Sequence, residues 1–281
     1  MSFKLKQRLS LVFALLAILA LLSLTVATIG GAVGNKKAQD STNNVAVKDE
    51  NSFTLRGKTI SFLGDSITTY EGWSNNATYN STLSNNDVKY DSSHFNVNST
   101  WWKQTINELQ LSLCVNNSCD ASRVSETRTD DVPSAYERCT ELDRDNGTRP
   151  DIIIVYVGTN DLGNGIELGD NTVEDYTQYF GCMYSRMLLE IVYAYSDADV
   201  FVCTLLPEYR SGCTDERLAA YNDAIRSIAA SYGADVIDLY ADSGITRANY
   251  AAYTLDKLHP NEEGMDLISA TVVKALTEYY K

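Results

Sequence analysis

The sequence predicts an α/β domain: a three-layer α/β/α sandwich built on a five-stranded, parallel, doubly wound sheet. Three observations carry this expectation. Short runs rich in β-branched residues recur along the chain, longer segments with helical spacing separate them, and each run is apolar almost throughout, as in a strand covered on both faces. With 281 residues and 44% hydrophobic content, the chain can bury a sizeable core.

The expected strands are 59–63, 111–115, 152–157, 200–205 and 235–239, and the expected helices are 100–109, 173–195, 216–232 and 262–280. Thr214 and Asn261 stand where N-caps belong, each followed by acidic residues that suit the positive end of a helix. No internal repeat interrupts this alternation.

The first part of the chain has a different character. Lys4, Lys6 and Arg8 precede an apolar run from Leu11 to Leu24, and no further charge occurs before Lys36. Residues 1–33 therefore read as a signal peptide or an N-terminal membrane anchor, two readings that the sequence leaves open. Cations on the N-terminal side put whatever follows outside the cytoplasm in either case. Residues 34–52 are polar and lack any apolar period, as in a tether, so the folded unit is expected over 53–281.

A formal charge of −14 repels phosphate backbones and speaks against nucleic acid as a partner. Gly57-Lys58-Thr59 lacks the upstream glycine of a phosphate loop, because Ser52 stands there, so nucleotide binding by that motif is excluded. Cys114, Cys119, Cys139, Cys182, Cys203 and Cys213 form no Cys-x-x-Cys pair, which argues against zinc. Their disulfide pairing stays open, with Cys203 equally suited to be a buried thiol in a strand. No metal and no organic cofactor is expected.

In open α/β sheets the ligand crevice lies beyond the carboxyl ends of the strands. Three conspicuous segments fall there. Gly64-Asp65-Ser66-Ile67 follows the first expected strand, Gly158-Thr159-Asn160-Asp161 follows the third, and Asp256-Lys257-Leu258-His259-Pro260 lies between the fifth and the last helix. A serine that cleaves an ester needs a base in hydrogen-bond reach, a group that orients the base, and donors for the oxyanion. His259 is the candidate base, since the other histidine, His94, lies in an Asn-rich polar stretch. Pro260 biases the backbone of His259 away from the helix, which leaves Asp256 able to reach the second ring nitrogen.

These segments resemble the marker blocks of the SGNH (GDSL-type) hydrolase superfamily, over roughly Phe53 to the C-terminus. GDS at Gly64–Ser66, GTND at Gly158–Asp161 and DxxH at Asp256–His259 match in order and spacing. The resemblance implies a flavodoxin-like fold and a catalytic triad of Ser66, His259 and Asp256. It implies an oxyanion hole made by the N–H groups of Ser66 and Ala121 and the amide of Asn160. At Ala121 the family carries glycine. An alanine keeps the backbone donor, but a left-handed conformation there would cost about 1 kcal/mol or more.

Resemblance and external location together imply short acyl esters, acetyl groups on carbohydrate, as the small-molecule or polysaccharide substrate. The polar segment 70–100 supplies Trp73, Tyr79 and Tyr90 as candidate sugar-stacking rings, with a plain surface loop as the alternative. Trp101 and Trp102 are expected in the core instead. Two other functions compete: a surface carbohydrate-binding protein on an inactive hydrolase scaffold, motivated by Ala121, and an acyltransferase to a sugar acceptor.

Overall fold

The five apolar runs form the strands β1 (Thr59–Gly64), β2 (Ser112–Ser118), β3 (Ile152–Tyr156), β4 (Asp199–Cys203) and β5 (Asp235–Ile237). They pair as one parallel sheet in the order β2-β1-β3-β4-β5. The computed structural model describes residues 55–73, 90–93, 95–126, 132–169 and 176–281, all within one compact unit. The sheet is therefore the doubly wound α/β arrangement the alternation predicts. β3, Ile-Ile-Ile-Val-Tyr, is central and buried along its whole length, which is why it reads as continuously apolar rather than alternating.

Four long helices flank the sheet: α1 (Trp101–Leu109), α2 (Phe180–Ala194), α3 (Asp215–Tyr232) and α4 (Glu262–Tyr279). α1 packs on α4, and α2 on α3. The expected caps are present: Thr214 accepts the N–H of Arg217, and Asn261 accepts that of Gly264. Trp101 and Trp102 are fully buried and meet Phe62 of β1 at 5.3 and 6.1 Å between ring centres. Among the described residues no helix is long and apolar enough to cross a membrane.

Among the boundaries that differ from expectation, three have a clear physical reason. β2 runs on through Asn116, Asn117 and Ser118, all buried. Those polar side chains are satisfied within the fold: Asn116 Nδ2 donates to Thr68 O at 3.0 Å, and Asn117 Nδ2 to Arg138 O at 3.2 Å and Glu141 O at 3.0 Å. β5 stops at Ile237 because the Asp238 side chain accepts the N–H of Ala241 and starts a helical turn, Leu239–Asp242. The helix expected from Val173 begins only at Phe180, after a 3₁₀ turn at Tyr176–Gln178. Its expected start at 173 lies outside the described residues.

Cys114, Cys139, Cys203 and Cys213 are buried thiols. Burial pushes the Cys139 thiol up to about 12, with Glu190 adding to the effect, and raises Cys203 as well. Both are inert at neutral pH.

Candidate active site

β1 ends at Gly64, and the chain folds into a tight turn instead of a helix. Asp65 points inward: its Oδ1 accepts the N–H of Ile67 at 3.1 Å and its carbonyl accepts that of Thr68 at 3.0 Å. Thr69 Oγ1 donates to Ser66 O at 2.9 Å. These bonds fix the backbone of Ser66, whose hydroxyl lies 3.0 Å from His259 Nε2. Ser66 and His259 are both buried, at 6% and 7% exposure, so bulk water has little access to the bond between them.

The segment carrying His259 closes on itself. Leu255 N–H donates to His259 O at 2.7 Å, and Thr254 bridges to Pro260. Within that loop Asp256 Oδ1 accepts the backbone N–H groups of Leu258 (3.1 Å) and His259 (2.8 Å), while Oδ2 lies 2.9 Å from His259 Nδ1. Lys257 turns the corner in the left-handed region, φ +68°. Burial alone would raise the Asp256 carboxyl. The hydrogen bonds and charge of His259 outweigh it and hold the group well below the usual carboxylate range. Ionised, Asp256 can only accept, so Nδ1 carries a proton, and in the neutral ring Nε2 then offers its lone pair to the Ser66 hydroxyl.

The other side of the candidate site would come from Ala121 and Asn160, which follow β2 and β3, the two strands that flank β1. Ala121 has φ +56°, a left-handed conformation that glycine adopts at less cost than alanine. Asn160 sits in a single helical turn, Thr159–Gly163, entered through Gly158 at φ +116°. A Cβ on Gly158 would lie 2.8 Å from the Phe180 ring, so conformation and close packing both require glycine there. Asn160 Nδ2 donates to Ser122 O at 3.0 Å. Asp161, completely buried, accepts Val124 N–H, Ser125 N–H and Ser125 Oγ–H at 2.9, 2.9 and 2.6 Å. It thereby ties the segment after Ala121 to the turn that carries Asn160.

Sequence reasoning missed the residues that brace this side. Arg138, buried at 2% exposure, donates to Gly64 O at 3.2 Å, Ser122 Oγ at 2.9 Å and both oxygens of Asn117. One guanidinium thus joins the ends of β1 and β2. Arg210 donates to Asn160 Oδ1 at 3.2 Å and is paired with the buried Glu208 at 3.0 Å. The short helix before Arg138, capped by a Ser134/Glu137 box, was the one sequence signal available for it.

Of the three aromatic candidates, Tyr90 needs correction. Tyr90 is fully buried, donates to Pro260 O at 2.8 Å, and sets its ring edge-on to His259 with centroids 6.3 Å apart. It is a wall behind the imidazole, with no face left for a sugar. Trp73 is 38% exposed, packed on Trp102 and under the Lys103 ammonium. Tyr79 lies outside the described residues.

Burial pushes the Asp65 carboxyl up to about 7, against the pull of the Ile67 N–H and the charges of His259 and Arg210. Among the described residues no cluster of His, Cys, Asp or Glu could hold a metal ion.

A family model for GDSL-like lipases and acylhydrolases matches residues 58–276. Solved structures share the fold. A protein described as a GDSL-like lipase from Bacteroides ovatus is 25% identical with a TM-score of 0.59, over 79% of this chain and 99% of that one. A counterpart from Bacteroides uniformis is 24% identical with a TM-score of 0.59, over 82% and 100%. A family two carbohydrate esterase from Clostridium thermocellum, in complex with cellohexaose, is 16% identical with a TM-score of 0.53, over 79% and 64%. No curated protein matches the chain. With a sheet, a set of strand-end loops and a family match that spans most of its length, the chain belongs to the GDSL-like lipase/acylhydrolase family of ester hydrolases.

Proposed function

We propose that this protein is a serine esterase that removes short acyl groups, acetyl above all, from carbohydrate, working outside the cytoplasm through an acyl-enzyme. The observation that carries the reading is the hydrogen-bonded chain from Ser66 Oγ through His259 to Asp256, at 3.0 and 2.9 Å. In this reading His259 Nε2 takes the Ser66 proton as the oxygen attacks the ester carbonyl. Asp256 holds the ring and balances the imidazolium that forms. The N–H groups of Ser66 and Ala121 and the Asn160 amide receive the negative charge on the carbonyl oxygen. His259 then protonates the leaving alcohol, and a water activated by the same nitrogen releases the acid and restores Ser66.

Carbohydrate as the carrier of the ester is supported by the fold shared with the Clostridium thermocellum enzyme and its bound cellohexaose, and location by the cationic, apolar start of the chain. The backbone of Ala121 takes a left-handed conformation open to glycine, which supports an active enzyme over an inactive scaffold. The test is acetate release from acetylated xylan against fatty-acid release from long-chain esters, each with wild type and Ser66→Ala. Ser66-dependent acetate release is expected. A clear preference for the lipid esters would overturn the carbohydrate assignment.

A further inference from the structure

A carboxamide can present either end to a crevice, and only its nitrogen can donate to an oxyanion. Two neighbours of opposite character decide the matter for Asn160. The Ser122 carbonyl can only accept, and it takes Nδ2–H at 3.0 Å; the Arg210 guanidinium can only donate, and its Nη1 reaches Oδ1 at 3.2 Å. Arg210 is in turn held at three further points. Its Nη2 donates to Thr159 O at 3.1 Å, its Nε to Glu208 Oε1 at 3.0 Å, and its backbone N–H to Glu208 Oε2 at 2.6 Å. Glu208 is 1% exposed, and its carbonyl accepts Arg247 Nη1 at 2.7 Å. Room for the pair exists because residue 163 is glycine: a Cβ there would lie 2.3 Å from Arg210 Cζ and 2.4 Å from Glu208 Oε1.

We propose that Arg210, seated on Glu208, is a positioning residue for Asn160: it holds the amide oxygen so that the amide nitrogen faces the reacting carbonyl. The charge of the guanidinium also polarises the amide and strengthens its N–H as a donor. The assignment rests on the serine-esterase reading above. Because the oxyanion exists only along the reaction path, loss of Arg210 acts on kcat and leaves KM nearly unchanged.

The experiment measures p-nitrophenyl acetate hydrolysis by wild type, Ser66→Ala, Asn160→Ala, Arg210→Gln, Arg210→Lys and the double variant Asn160→Ala/Arg210→Gln. Loss of one oxyanion donor typically costs about a hundredfold to a thousandfold. Arg210→Gln is expected to lose about tenfold or more in kcat at a KM within about twofold, with Arg210→Lys recovering part of it. In the Asn160→Ala background the Arg210 change should have no further effect, a coupling that a merely structural role would not produce. A wild-type kcat in Arg210→Gln, or the same loss on top of Asn160→Ala, overturns the assignment. Should Arg210→Gln not fold, Arg210→Lys decides alone, because a single ammonium cannot keep all the contacts; a wild-type kcat there overturns it too. Ser66→Ala separates the two levels: activity that survives it sinks the esterase reading itself, whereas activity lost with Ser66 but indifferent to Arg210 sinks only the role of Arg210.

Discussion

The two sides of the candidate site are built in opposite ways. On one side the proposed base and its carboxylate partner come from a single closed loop, with Asp256 and His259 three residues apart and the Asp256 carboxylate accepting the loop's own N–H groups. On the other side, Ala121, Asn160 and their braces come from four separate stretches of chain, joined by Arg138, Asp161, Arg210 and Glu208. A local arrangement needs only a short motif. A distributed one needs buried polar side chains that each satisfy several backbone groups, and the loss of any one leaves acceptors or donors unpaired in the interior.

The largest effect is expected on the local side. His259→Ala and Ser66→Ala should each lower kcat for p-nitrophenyl acetate by roughly 10³-fold or more, with melting temperatures close to wild type. A residual rate within about tenfold of wild type in either variant would break the comparison, since the loop would then be scaffold and not chemistry. Next comes the distributed side. Arg138→Met should destabilise the domain by about 3 kcal/mol in urea denaturation, because it removes the donor shared by Gly64, Asn117 and Ser122. A change below about 1 kcal/mol would mean that the strand ends hold together without it.

The third prediction concerns Asp65, which lies between the two sides. Its folded carboxyl titrates near 7, raised by burial, whereas an unfolded aspartate titrates near 4. The folded state therefore binds the proton more tightly, and its stability falls as pH rises through neutrality. Buried Asp161, also raised by burial, acts with the same sign, and Asp256 acts with the opposite sign only in acid. From pH 5 to pH 8 the wild type should lose on the order of 2 kcal/mol through Asp65. Asp65→Asn should flatten that loss, and an unchanged slope would assign it elsewhere. The smallest effect belongs to Ala121→Gly, expected to gain about 1 kcal/mol in stability by relieving the left-handed alanine. If stability instead falls, the position is not strained.

This contrast also explains what could be read in advance. β1, β3 and the caps Thr214 and Asn261 follow from local spacing and local hydrogen bonds, so the runs and cap residues announce them. The loops after β1 and β3 and the Asp256–His259 segment are short, and their residue types follow from the chemistry they could carry. The end of β2 was hidden because Asn116 and Asn117 look like a turn until their partners, 48 and 21 residues away, are known. Arg138, Glu208 and Arg210 were hidden for the same reason: each is an ordinary charged residue whose meaning lies wholly in distant carbonyls and amides. Tyr90 misled because a tyrosine among polar residues suggests an exposed ring, and the sequence does not reveal that it backs onto His259.

The bond between Ser66 and His259 joins residues 193 apart, and in the proposed mechanism this sets when the domain can work. The Asp256–His259 pair can form as soon as its short loop closes, but it has nothing to activate until β1 is in the sheet and α4 has docked beside α1. Closing so long a stretch comes late and slowly in folding. A chain still emerging from the ribosome would carry a complete nucleophile turn for most of its synthesis and remain inert. Two fragments divided anywhere between Asp161 and Leu255 would each hold half of the machinery, so esterase activity would report their reassembly.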